Sequence, residues 1–93
     1  MADRAFGTST IAVLNKTDSP VEVDIEKGKW GWIVGRKACE TVPSQGIEYW
    51  GRESGIWAVK IAGKVYSLMK GDTDCHVIIK ENGEVVGLRC TIV

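Results

Sequence analysis

The side chains able to do chemistry are few and scattered. His76 is the only histidine, and the three cysteines, Cys39, Cys75 and Cys90, stand far apart. A nucleophile–base pair would need His76 beside a thiol or a serine hydroxyl. Cys75 is its sequence neighbour, but successive side chains on a strand point to opposite faces, which takes that thiol out of reach. His76 is therefore read as an exposed or half-exposed strand residue. A structural zinc site draws on four ligands, usually with a short Cys-x-x-Cys spacing, and no such spacing exists here. The Cys75 and Cys90 thiols are expected to be small buried hydrophobes. In an oxidising environment, Cys75 and Cys90 would be the candidates for a cross-strand pair.

Other motifs carry little chemistry. Gly28, Gly31 and Gly35 do not follow a strand and open a helix, so no phosphate loop is formed. Asp72 and Asp74, in Lys70-Gly71-Asp72-Thr73-Asp74, could approach a calcium ion, but the longer acidic series of an EF-hand loop is missing. A solvated turn is expected there. Asn15-Lys16-Thr17 matches a glycosylation sequon without a signal peptide to make it meaningful. No catalytic set, metal or cofactor is implied, and the chain is read as a non-enzyme.

The aromatic residues are more informative. Four tryptophans stand in 93 residues. Rings with a polar tip suit core packing, sugar stacking and membrane interfaces alike. Trp57 shares a strand face with Val59 and Ile61, which argues for burial. Trp30 and Trp32 have only a glycine between them and share a face. Tyr49 and Trp50 point opposite ways and precede the polar loop Gly51-Arg52-Glu53-Ser54-Gly55. Trp30, Trp32, Tyr49, Trp50, Arg52 and Glu53 are the candidate ligand-binding residues.

The elements that must position these residues are strands. Short β-rich runs alternate with turn residues at the spacing of a sandwich or barrel. Val21-Glu22-Val23-Asp24-Ile25-Glu26 alternates apolar and acidic, the mark of a sheet with one wet face. Further strands are expected at Thr10–Leu14, Trp30–Val34, Gly46–Trp50, Ile56–Ile61, Lys64–Met69, His76–Glu81 and Glu84–Ile92, with one helical turn near Arg36–Thr41. Ala62-Gly63 closes a hairpin that sets Val59 opposite Tyr66 and Trp57 opposite Leu68. Asn82-Gly83 closes a second, which sets Ile79 opposite Val86, Val77 opposite Leu88 and Cys75 opposite Cys90. That register also opposes Glu81 and Glu84, a like-charge pair that counts against it.

The totals bound the rest. Ninety-three residues make one all-β domain, a single antiparallel sandwich or barrel of about seven to eight short strands, residues 1–8 being a flexible N-terminal segment. Twelve basic and 12 acidic residues balance, which removes the basic excess expected of nucleic-acid binding. No run is long and apolar enough to cross a bilayer, and no secretory signal is visible. A cytoplasmic location, or export without a signal peptide, follows as the expectation.

The order of residues resembles the aegerolysins, small β-sandwich proteins of fungi and bacteria. The likeness runs from about Thr10 to Leu68, more weakly over Gly87 to Val93. It rests on Val13-Leu14-Asn15-Lys16-Thr17, on Gly28-Lys29-Trp30-Gly31, on Pro43 with Ile47, and on Gly51-Arg52-Glu53-Ser54-Gly55. The chain is shorter than that family's pattern and lacks its aromatic, Trp-Pro-containing segment. The resemblance implies a cytolysin-like sandwich that recognises lipid head groups, sometimes with a pore-forming partner. The leading expectation is thus a binding protein that meets head groups through surface Trp, Tyr and Arg. A lectin-type module is the alternative, with exposed rings stacking on sugars. A protein-interaction module is another, acting as inhibitor, effector or oligomer-forming subunit.

Overall fold

Strict alternation in Val21–Glu26 forces Val23 and Ile25 to one side and Glu22, Asp24 and Glu26 to the other, and the chain folds accordingly. A computed structural model describes residues 10–26 and 39–93. It contains β1 (Thr10–Asn15), β2 (Val21–Glu26), β3 (Cys39–Val42), β4 (Ile47–Gly51) and β5 (Gly55–Ile61). β6 (Lys64–Lys70), β7 (Cys75–Ile79), β8 (Val85–Leu88) and β9 (Cys90–Ile92) follow. No helix occurs among the described residues. The expected strand at Trp30–Val34 and the N-terminal segment 1–8 lie outside them.

The strands form two sheets, ordered β4-β1-β7-β8 and β3-β2-β5-β6-β9. Among the described residues neither closes on itself, so no closed barrel is formed. The strictly antiparallel expectation also needs correction, because β1 and β7 run parallel, with Val13 opposite Val77. A parallel neighbour cannot be reached by a tight turn. Here the whole second sheet is visited between the two strands, except for its last strand, β9. The inward faces meet in one cluster: Ile11, Val13, Trp50, Cys75, Val77 and Ile79 from the first sheet, and Val23, Ile25, Val42, Trp57, Val59, Ile61 and Leu68 from the second.

The first hairpin has the register read from its turn: Val59 faces Tyr66 and Trp57 faces Leu68. Ala62 (φ 51°) and Gly63 (φ 87°) both take positive φ, as a two-residue type I′ connection requires. The second hairpin differs by one residue. Ile79 faces Val85, Val77 faces Gly87 and His76 faces Leu88. Only Gly83 takes positive φ there, at 89°. Gly83 N–H donates to Lys80 O at 2.8 Å and Lys80 N–H to Glu84 O at 2.7 Å, closing a three-residue connection. The slip replaces the repulsive Glu81–Glu84 opposition with a Lys80–Glu84 pair, 3.5 Å apart.

Two further corrections concern elements. The helical turn expected near Arg36–Thr41 is, over Cys39–Val42, the edge strand β3, paired with β2. The long terminal strand is broken at Arg89, whose φ of 67° carries the chain from one sheet to the other. Cys90 consequently pairs with Lys70 on β6, and Cys75 with Ile11 on β1, so the two cysteines are not cross-strand neighbours.

Candidate binding surfaces

Of the residues expected at the ligand site around the loop after β4, Trp50 and Arg52 turn inward. Tyr49 and Trp50 diverge as strand geometry demands: Tyr49 is 55% exposed and Trp50 is fully buried. Arg52 is 1% exposed. Its Nη2 donates to Ile25 O and its Nη1 to Gly51 O, each at 2.9 Å. The guanidinium lies 5.3 Å from the Trp57 ring centre, and Trp57 Nε1 donates to Glu53 O at 2.9 Å. Residues 51–55 thus lock β4, β2 and β5 together. Trp50 and Arg52 are packing residues, which corrects their placement on a ligand surface. Tyr49 and Glu53 remain at the surface, and Trp30 and Trp32 lie outside the described residues.

The other motifs resolve into structure in the same way. Asn15 is completely buried. Its Nδ2 donates to Ser19 O at 2.8 Å and Val42 O at 3.0 Å, and its Oδ1 accepts from Thr17 N–H at 2.9 Å. The apparent sequon is a clasp between two inter-sheet crossings. In the loop after β6, Lys70 Nζ donates to Thr73 O at 2.7 Å and Gly71 O at 3.2 Å, so an ammonium already occupies the carbonyls a cation would use. Asp74 accepts from Thr10 N–H at 2.8 Å, while Asp72 is exposed. Among the described residues no three His, Cys, Asp or Glu side chains converge on a metal-sized site. The cysteines are free thiols. Burial, followed by a hydrogen bond with Cys90, pushes the Cys75 thiol up to about 12.

What the sheets leave for partners is their two broad outer faces. On the five-stranded sheet three shallow clefts adjoin. One of about 180 Å³ is lined by Glu22, Asp24, Cys39 and Lys60. The next, of about 170 Å³, uses Asp24, Glu26, Ala58, Lys60 and Val65. The third, of about 280 Å³, continues over Ile56, Ala58, Val65, Ser67 and Val93. Shared residues make them one groove, acidic at β2 and apolar toward β6 and β9. Its charge is uneven. Partial burial, then the neighbouring Asp24 charge and its hydrogen bond, raise Glu26 above its ordinary value, against the pull of Lys60. Asp24 Oδ1 is buried and has no hydrogen-bond partner among the described residues. Partial desolvation and the charges of Asp24, Glu22 and Glu40 likewise raise the Cys39 thiol.

The two central rows of the outer face of the four-stranded sheet carry no Lys, Arg, Asp or Glu. Cross-strand register aligns Tyr49, Ala12, His76 and Leu88 in one row and Ile47, Leu14, Ile78 and Val86 in the next. His76 is half-buried there, as expected of a strand histidine.

No protein-family model, curated protein or solved structure matches the chain. Geometry must carry the functional reading.

His76 is flanked across its row by Ala12 and Leu88, neither of which could act as its partner in proton transfer. No helix of the described residues is long and apolar enough to cross a membrane. The groove was legible only as the wet, acidic side of β2. Its apolar half comes from Ile56, Val65 and Val93, at 56%, 62% and 81% exposure. Only the register shows that these residues share one side of the sheet.

Proposed function

We propose that this chain is a non-enzymatic recognition module whose binding surface is the groove across the five-stranded sheet. Its ligand is a partner polypeptide segment that presents cationic side chains beside apolar ones. The carrying observation is the polarity of the groove: three carboxylates at alternate positions of β2 along one side, and exposed aliphatic side chains along the other. A lysine or arginine of the partner would pair with the carboxylate row of Glu22, Asp24 and Glu26. Apolar side chains beside it would cover Val65 and Ile56. In this reading the two sheets are the layers of a sandwich, and kinship with the aegerolysins is part of the proposal at the level of fold.

The lipid-head-group reading loses support from the burial of Trp50 and Arg52, and an acidic groove repels phosphate. It retains Tyr49 and, outside the described residues, Trp30 and Trp32. The lectin alternative loses Trp50 as a stacking platform in the same way.

Amide-resolved NMR titration separates these classes. The probe is a short peptide alternating lysine and leucine, run beside phosphatidylcholine and phosphatidylserine vesicles and a set of simple oligosaccharides. The expected result is saturable shifts at Asp24, Glu26, Ala58, Lys60 and Val65 with the peptide, weakened several-fold by Glu26→Gln with Asp24→Asn. Saturation by vesicles or sugars instead, or peptide shifts spread evenly over both sheets, would refute the groove as the site.

A further inference from the structure

The composition of the four-stranded sheet calls for a cover on its outer side. A sheet with one wet face alternates apolar and polar residues, as β2 does. β1 and β7 do not: Ile11-Ala12-Val13-Leu14 and Val77-Ile78-Ile79 are apolar on both faces, the pattern of strands covered on two sides. The core supplies one cover. On the other side, the rows Tyr49-Ala12-His76-Leu88 and Ile47-Leu14-Ile78-Val86 include no Lys, Arg, Asp or Glu. Tyr49, Leu88 and Ile47 are 55%, 53% and 38% exposed, while Ala12 is sunk to 3%. The face is therefore uncharged, raised at both flanks and notched near its middle.

We propose that a second copy of this chain covers this face. The pairing is two-fold, with the axis along the strands, between β1 and β7. Such an axis reverses strand order and preserves the rows, so β4 lies over β8 of the second copy and β1 over its β7. Tyr49 then meets Leu88, Ile47 meets Val86 and Leu14 meets Ile78. The smallest side chain, Ala12, meets His76, one of the bulkiest on the face, so the notch is filled from across the interface. Every contact occurs twice, as an isologous interface requires. Aligned stacking of two sheets about 10 Å apart is an ordinary way to bury such faces.

Two further observations favour a copy of the chain as the occupant. The paired rows carry no Lys, Arg, Asp or Glu, so none of these is buried without a partner. The chain's formal charge is zero, so two copies approach without net repulsion. Four strands about 4.8 Å apart and a few residues deep give a footprint of roughly 250 Å² per copy. A standard interface buries about 800 Å² of accessible surface per partner, so the pairing is reversible and depends on concentration.

Sedimentation equilibrium of the full chain from about 10 μM to about 1 mM tests this. The weight-average mass is expected to climb from 10.2 kDa toward twice that value. Tyr49→Lys alone and Leu88→Glu alone are expected to stay at the monomer mass, because each homodimer would bury two unpaired charges. An equimolar mixture of these two variants is expected to dimerise again, since it sets the introduced lysine over the introduced glutamate at one contact and leaves the native Tyr–Leu contact at the other. Val65→Glu, on the opposite sheet, is expected to behave as wild type. Circular dichroism confirms that each variant is folded, which the exposure of the three sites favours. A wild-type chain that is monomeric at about 1 mM, a Tyr49→Lys homodimer, a mixture that stays monomeric, or loss of the dimer in Val65→Glu would each overturn the proposal. Val65 lines the groove on the other sheet, so this variant separates self-association from that groove, whose ligand is tested by the peptide titration.

Discussion

Asn15 shows how one residue can be mistaken for a modification site and serve instead as a clasp. Its side-chain amide satisfies two carbonyls and accepts a backbone N–H in a site with no solvent access. Asn15→Ala removes these bonds, together with those to Pro43 O and from the Thr17 hydroxyl, and leaves the Val42 carbonyl and the Thr17 amide to find other partners. A loss of about 2–4 kcal/mol in urea unfolding is expected. A loss under about 0.5 kcal/mol would mean that the crossings hold without it. Glu26 gives a pH signature. Its pKa is raised in the folded chain above the ordinary 4.5, so the folded state holds the proton more tightly than the unfolded state. The stability it contributes is fully present below that ordinary value and is lost as pH rises through the raised one. Unfolding free energy should therefore decline across that window, and Glu26→Gln should flatten the decline. An unchanged slope in the variant would assign it to other groups. A polar Gly-Arg-Glu-Ser-Gly stretch looks solvated, and sequence offers no sign that Ile25 O and the Trp57 ring take the guanidinium out of water.

At the scale of the element, legibility depended on how the turns were built. The β5–β6 register followed from Ala62-Gly63, because both residues enter the left-handed region and the apolar pairs agree with that turn. Asn82-Gly83 looked like the stronger signal, yet only Gly83 adopts positive φ, and the extra loop residue shifts every pair by one. The like-charge opposition of Glu81 and Glu84 was the legible warning. Strand β3 stayed hidden because Cys39-Glu40-Thr41-Val42 is too short to show a period. The break at Arg89 stayed hidden because Gly87-Leu88-Arg89-Cys90 contains no turn pair. The first turn can also be improved. Ala62 carries a steric penalty at φ 51° that asparagine tolerates better. Ala62→Asn should raise stability by about 0.5–1 kcal/mol in thermal or urea unfolding; a decrease would show that the methyl group matters to packing more than the turn does.

For the whole molecule, period-two burial accounts for most of what was legible. It placed Trp57 inside and separated Tyr49 from Trp50 on sequence grounds alone. It could not show that repeated crossings between sheets would draw the Arg52 loop inward, since that depends on contacts between residues far apart in sequence. The chain thus divides into a core that holds the tryptophans of β4 and β5, and two outer faces of contrasting chemistry available for recognition. Hydroxyl-radical footprinting of the folded chain, read residue by residue, tests this division most directly. Tyr49 and Met69 should be modified rapidly in dilute solution, and Trp50 and Trp57 should stay protected until the chain is unfolded. Modification of Trp50 or Trp57 at a rate comparable to that of Tyr49 would contradict the division.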